Sequence, residues 1–171
     1  MHIRKIVTGT GCLAVLAAGA AWAASLNTVD KQFLVTAART DMTEAHEGQM
    51  AEDHAARSDV KDFGKTLVQD HTASYTQLSQ LAAKTGAAIP KGINVSQNRD
   101  IVQLGRLKGA SFDRQFARDE VAAHRQLLAA FKREAQRGHD AEVKAYASRM
   151  IPTLEKHLQL AEQCAKPVGR S

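Results

Sequence analysis

The sequence predicts an all-α fold, an antiparallel four-helix bundle with a short extra helix in its crossover. Three observations predict it. The chain is rich in Ala, Leu, Glu, Gln, Lys and Arg, has only 3 prolines and is 5% aromatic, a composition that favours helix over strand. Apolar residues recur at steps of three and four along four long segments, the period of a helix with one buried face. The links between the first two segments, and between the last two, are too short for anything but antiparallel neighbours, while a longer polar stretch separates the pairs.

The chain opens on a leader. Arg4 and Lys5 form a basic start, Ile6 to Ala20 an apolar run short for a membrane span, and Ala21-Trp22-Ala23 an A-x-A cleavage signal. The expectation is a signal peptide over residues 1–23 and one domain over 24–171, periplasmic or secreted, with no membrane span after cleavage. Cys12 does not mark a lipoprotein, because Gly9-Thr10-Gly11 before it lacks the usual Leu. Removing residues 1–23 from the 171-residue chain leaves 148, and removing Arg4 and Lys5 lowers the formal charge from +5 to +3. The remaining basic residues are scattered among acids with few aromatics nearby, which is a solvated helix surface and excludes a nucleic-acid footprint. Cys164 alone remains of the 2 cysteines, so no intramolecular disulfide forms; it reads as a partly exposed thiol near the C-terminus.

The first long helix is predicted from about Thr28 to Ala56. Its inner face is Leu34, Ala37, Ala38, Asp41, Ala45, Gly48 and Ala55, small enough to let a neighbour approach closely. The second opens at Ser58 as N-cap, carries Val60, Phe63, Leu67, His71, Tyr75, Leu78 and Leu81 on its stripe, and stops at Gly86. The crossover holds Pro90, Gly92 and a short helix from about Gln97 to Lys108. Its apolar edge of Ile101, Leu104 and Leu107 is expected to dock on the bundle. The third long helix opens at Ser111 and carries Phe112, Phe116, Glu120, His124, Leu127, Phe131 and Ala135 up to Gly138. The fourth is capped by Asp140 and carries Val143, Ala147, Met150, Leu154, His157 and Ala161, with Pro152 expected to kink it or loosen one turn.

His71, His124 and His157 therefore sit on the apolar stripes of three helices, where ionisable groups are normally excluded. Folding the first hairpin about residue 57 sets His71 level with residue 43, next to Glu44. Folding the second about residue 139 sets His157 level with residue 121, within about one turn of Glu120 and His124. Glu44, His71, Glu120, His124 and His157 are thus candidates for one level of the bundle. Two readings stand. Converging imidazoles and carboxylates suit a zinc, copper, manganese or iron site. A hydrogen-bonded core network with no cofactor satisfies the same residues. A diiron site needs Glu-x-x-His on two helices, and the chain has none, so ferroxidase or oxygenase chemistry is disfavoured. His46, His54 and His139 fall at polar-face or helix-end positions and read as solvated; Tyr75 and Tyr146 read as core aromatics with exposed hydroxyls. There is no phosphate-binding Gly loop, nucleophile elbow, Cys–His pair or zinc-finger spacing, and no catalytic residue is assigned.

Phe33-Leu34-x-x-Ala37-Ala38, Val60-Lys61-x-Phe63-Gly64, Leu67-Val68-Gln69-Asp70-His71, Phe112-Asp113 and Pro152-Thr153-Leu154-x-x-His157-Leu158 form a set. Together they resemble the exported bacterial family known as domain of unknown function 4142, over nearly the whole mature chain. The resemblance implies a ferritin-like four-helix bundle behind a signal peptide, outer-membrane association in some members, and no established activity. It implies that Glu44, Asp70, His71, His124 and His157 fall on recurrent polar positions. This chain departs from the pattern at Ala123, where Asp is expected, and at Glu120, where an apolar residue is usual. The expected function is a non-enzymatic exported bundle with a role in envelope maintenance or stress. The first alternative is a metal-binding or buffering protein using the core His and Glu residues. The second is a metal-dependent oxidoreductase. A protein of the envelope or a second copy of the chain is the partner class left open.

Overall fold

The computed structural model describes residues 26–167. The expected leader and its cleavage site lie outside them. The described residues form five helices and no strand: α1 (Thr28–His54), α2 (Ser58–Thr85), α3 (Val95–Leu104), α4 (Gly109–Arg137) and α5 (Ala141–Cys164). No helix among them is long and apolar enough to cross a membrane.

α1 packs along α2, and α4 along α5. The two hairpins then meet through α2 against α5 and α1 against α4. The small inner face of α1 sets its approach to α2. Gly48 and Gly64 stand opposite each other, and a Cβ on either would come within 2.6 Å of the other's carbonyl oxygen. Two apolar clusters fill the core, one around Leu34, Leu78, Phe131 and Tyr146, the other around Phe63, Leu67, Phe112 and Phe116. The buried polar level lies on the same inner faces.

Each hairpin turn is tied by an aspartate from the other hairpin. Asp113, near the start of α4, accepts from the backbone N–H groups of Ala56 (3.1 Å) and Arg57 (3.2 Å) in the α1–α2 turn. Asp30, in the first turn of α1, accepts from His139 N–H (3.1 Å) and Asp140 N–H (2.7 Å) in the α4–α5 turn. These N–H groups would otherwise be left unpaired at helix starts. The reciprocal arrangement fixes how the hairpins sit on each other.

Several boundaries differ from the sequence expectation. α1 ends at His54 and not Ala56. Ser58 is the first helical residue of α2 and Arg57 its cap residue, so the expected serine cap is not formed. α3 begins earlier and ends earlier, because Asn94 and Gln97 build a capping box at its start and the chain tightens past Leu104. α4 starts at Gly109, whose φ of 59° lets the chain turn sharply into the helix, and the Ser111 hydroxyl donates to Lys108 O within that first turn. α5 runs through Pro152 unbroken. The ring is on the exposed side, and the carbonyl that loses its partner, that of Ser148, is on an exposed residue too.

Side-chain positions also shift. Glu44, and not Ala45, is buried on α1, Ser74 is fully buried where Tyr75 is half-buried, and Glu134 is buried where Ala135 is half-buried. Ile101 and Leu104 dock on the core as expected, with Leu107 packed beside them. Cys164 is buried at the end of α5, and not exposed. The Tyr146 hydroxyl is buried and pairs with Ser74 Oγ at 2.8 Å. His54 is not simply solvated: its Nδ1 is 3.1 Å from Leu107 O and its ring meets Phe112 edge-on, which ties the end of α1 to the crossover.

Candidate metal centre

Three helices each deliver one histidine to the same level of the core. The ring centroids are 5.2 Å (His124–His157), 5.3 Å (His71–His157) and 5.9 Å (His71–His124) apart, and Phe63 lies against His124 and His157 as an apolar wall. All three imidazoles are buried at 0–1% exposure.

Each ring is anchored at one nitrogen. His71 on α2 sets Nδ1 2.9 Å from Asp41 Oδ1 on α1. His124 on α4 sets Nδ1 3.1 Å from the backbone oxygen of Glu120, with the Glu120 carboxyl alongside at 3.2 Å. His157 on α5 sets Nε2 2.9 Å from Asp70 Oδ2 on α2. These partners assign the tautomers. A carbonyl oxygen only accepts, so Nδ1 of His124 carries the hydrogen, and in the neutral ring its Nε2 carries the lone pair. A carboxylate also accepts, so Nε2 of His157 carries the hydrogen and its Nδ1 the lone pair. Those two lone-pair nitrogens face each other at 3.3 Å. The third inward nitrogen, Nε2 of His71, is buried and makes no hydrogen bond. One nitrogen from each ring lies within 4.8 Å of the other two.

Electrostatics keep two of the rings, those of His71 and His157, neutral. Burial, then the nearby His124, pushes the His71 pKa down to about 3. Burial, then His71, pushes His157 down to about 4, against the opposing hydrogen bond to Asp70. A neutral imidazole is the form that ligates a metal. Asp41 is pushed up to about 8 by burial, with a smaller opposing pull from the Ser74 hydroxyl.

The two glutamates fall into a second, overlapping triad. Ligand atoms of Glu44, Glu120 and His124 lie within 4.8 Å of one another. Both carboxyls are raised well above the ordinary glutamate range, by burial first; for Glu44 the nearby Glu120 adds to the rise, and for Glu120 the nearby Glu47. The structure thus gathers all five sequence candidates, but in two groups. The expected neighbour of His71, Glu44, lies instead against Glu120 and His124, and Asp41, one turn earlier on α1, takes its place. Sequence reasoning also left Asp70 without a partner. The signal was its position beside His71, facing α5 from a half-buried edge.

Set beside known proteins, the chain matches the family model described as domain of unknown function (DUF4142) over residues 15–164. No curated protein matches it. Among solved structures, the crystal structure of a DUF305 fragment from Deinococcus radiodurans aligns with a TM-score of 0.72 at 13% identity, over 83% of this chain and 98% of that one. At that identity the likeness is one of helical fold alone. The motifs read from the sequence and the match over most of its length agree: the chain belongs to the DUF4142 family, whose domain has no assigned function.

Proposed function

We propose that this chain is an exported metal-binding protein. In this reading residues 1–23 are a leader, residues 24–171 are one ferritin-like four-helix domain, and the domain holds one transition-metal cation through His71 Nε2, His124 Nε2 and His157 Nδ1. The two hairpins around a shared core support the ferritin-like description, which by itself carries no activity.

The observation that carries the reading is the pair of lone-pair nitrogens facing each other at 3.3 Å, with an unpartnered buried nitrogen beside them. A core network of neutral rings without a cofactor leaves two acceptors in contact and a third ring unsatisfied, which is costly in a dry interior. A proton between His124 and His157 relieves the first defect only and leaves Nε2 of His71 unpartnered, and burial opposes its residing on His157. A cation relieves both. A tetrahedral ion about 2.0–2.1 Å from each nitrogen sets neighbouring nitrogens about 3.3 Å apart, the spacing His124 and His157 already have. The outer nitrogens of His124 and His157 are bound to acceptors, as ligating histidines require, and that of His71 is held by Asp41. Three imidazoles suit zinc or copper better than magnesium or calcium. Metal buffering in the exported compartment is the role that follows.

The test is the metal content and thermal shift of untagged mature protein. Zinc or copper retained at one equivalent, with a raised melting temperature, supports the reading. No retained metal and no shift with zinc, copper, manganese or iron overturns it.

A further inference from the structure

The Glu44–Glu120 pair is not explained by the histidine site. Glu44 and Glu120 are 3% and 1% exposed, yet Glu44 Oε2 and Glu120 Oε1 make no hydrogen bond, and Glu120 Oε2 has only the His124 Nδ1 contact at 3.2 Å, whose hydrogen is already given to the Glu120 backbone oxygen. Buried carboxyls short of donors are costly, and two side by side are costlier. Glu44 also lines an open cleft of about 960 Å³ between α1, α3 and α4, so its unpartnered carboxyl borders a path to solvent. The cleft wall adds half-buried Glu47 and exposed Asp100 and Asp119, with Arg133 the basic residue along it. Among the described residues none of these five carboxyls is ion-paired with a lysine or arginine. Glu47 is crowded by Glu44, Asp119 and Asp100, so like charges converge on one concave surface. Such a cleft concentrates cations at its mouth.

We propose that Glu44 and Glu120, with Glu47 at the cleft wall, form a second divalent-cation position built of oxygen donors, entered through this cleft and adjoining the histidine position at His124. Carboxylate donors suit a harder ion than three imidazoles do, which points to manganese(II) or iron(II) in place of copper. The site rests on residues other than the three inward histidine nitrogens, so it stands or falls separately from them.

The experiment titrates manganese(II) into untagged mature protein, with and without one prior equivalent of zinc, and reads free manganese from its six-line electron paramagnetic resonance signal. The expected result is about one manganese bound per chain in both samples. E44Q/E120Q, checked for folding by circular dichroism, weakens that binding by about tenfold or more. E47K, on the half-buried wall, also weakens it, and D62N on the exposed face of α2 does not. If E44Q/E120Q does not fold, E47K decides. Manganese left free, or bound equally by the glutamate variants, overturns the proposal. Glutamate-dependent manganese binding in a protein that retains no zinc upholds this site and rejects the histidine one; zinc binding without manganese does the reverse.

Discussion

Nε2 of His124 faces Nδ1 of His157 across 3.3 Å, and in neutral rings the group behind each leaves both nitrogens without a hydrogen. α4 and α5 bring the two residues together because their hairpin turn is short and its register is set by Asp30. The contact is unfavourable for two neutral rings alone, and its relief by a cation is the core of the functional reading.

Asp70 holds His157 from outside. Asp70→Asn keeps the size but removes the charge that polarises the ring. Its side chain is 29% exposed, so the metal-free protein tolerates the change. Zinc affinity, measured by competition with a chromophoric chelator, is expected to fall about 10–100-fold while the metal-free melting temperature stays nearly constant. An unchanged affinity speaks against a zinc-bound His157.

Asp113 and Asp30 each satisfy two backbone N–H groups across the hairpins. Asp113→Ala strands the donors of Ala56 and Arg57 and is expected to cost about 1–3 kcal/mol in urea unfolding. Asp30→Ala is expected to act similarly on the α4–α5 turn. A loss below about 0.5 kcal/mol in both means solvent replaces these bonds without penalty.

Gly48→Ala drives a Cβ to within 2.6 Å of the Gly64 carbonyl oxygen, which is backbone and has little room to yield. The helices must separate, at an expected cost of about 1–3 kcal/mol in denaturant unfolding. Gly92→Ala, where a Cβ meets nothing, serves as the neutral comparison.

Glu134 supplies a pH dependence remote from the histidines. Burial, then the facing Asp30 carboxylate, raises its pKa to about 7, with Lys144 opposing. A carboxyl with a raised folded pKa binds its proton more tightly when folded, so its contribution is full below the ordinary value of 4.5 and is lost as pH rises through about 7. Thermal melts of the metal-free protein from pH 5 to 8 should show a smaller decline in Glu134→Gln than in the parent. Parallel curves would remove Glu134 as a contributor.

Helix number and hairpin pairing were legible because steps of three and four on α5 leave one face for the core, and every residue of that predicted seam is buried. The common level of His124 and His157 followed from the same periodicity and a short turn. Where the reading slipped, it slipped by about one turn or by one neighbouring residue. Asp41, and not Glu44, reaches His71, because the close Gly48–Gly64 contact and the Asp113 tie set a register that residue counting about position 57 does not contain. Ser74 displaced Tyr75 from the core because the buried Tyr146 hydroxyl needs a partner on α2, a requirement visible only once α2 and α5 are neighbours. Local spacing encodes faces; partners across hairpins depend on long-range packing.

X-ray absorption at the zinc edge of the one-equivalent zinc protein tests the central claim most directly. The account predicts a first shell containing about three imidazole nitrogens at about 2.0 Å, with the outer-ring scattering of histidine, and the loss of one such nitrogen or of all bound zinc in His71→Ala. A shell of oxygen donors alone, or the same spectrum in His71→Ala, would contradict it.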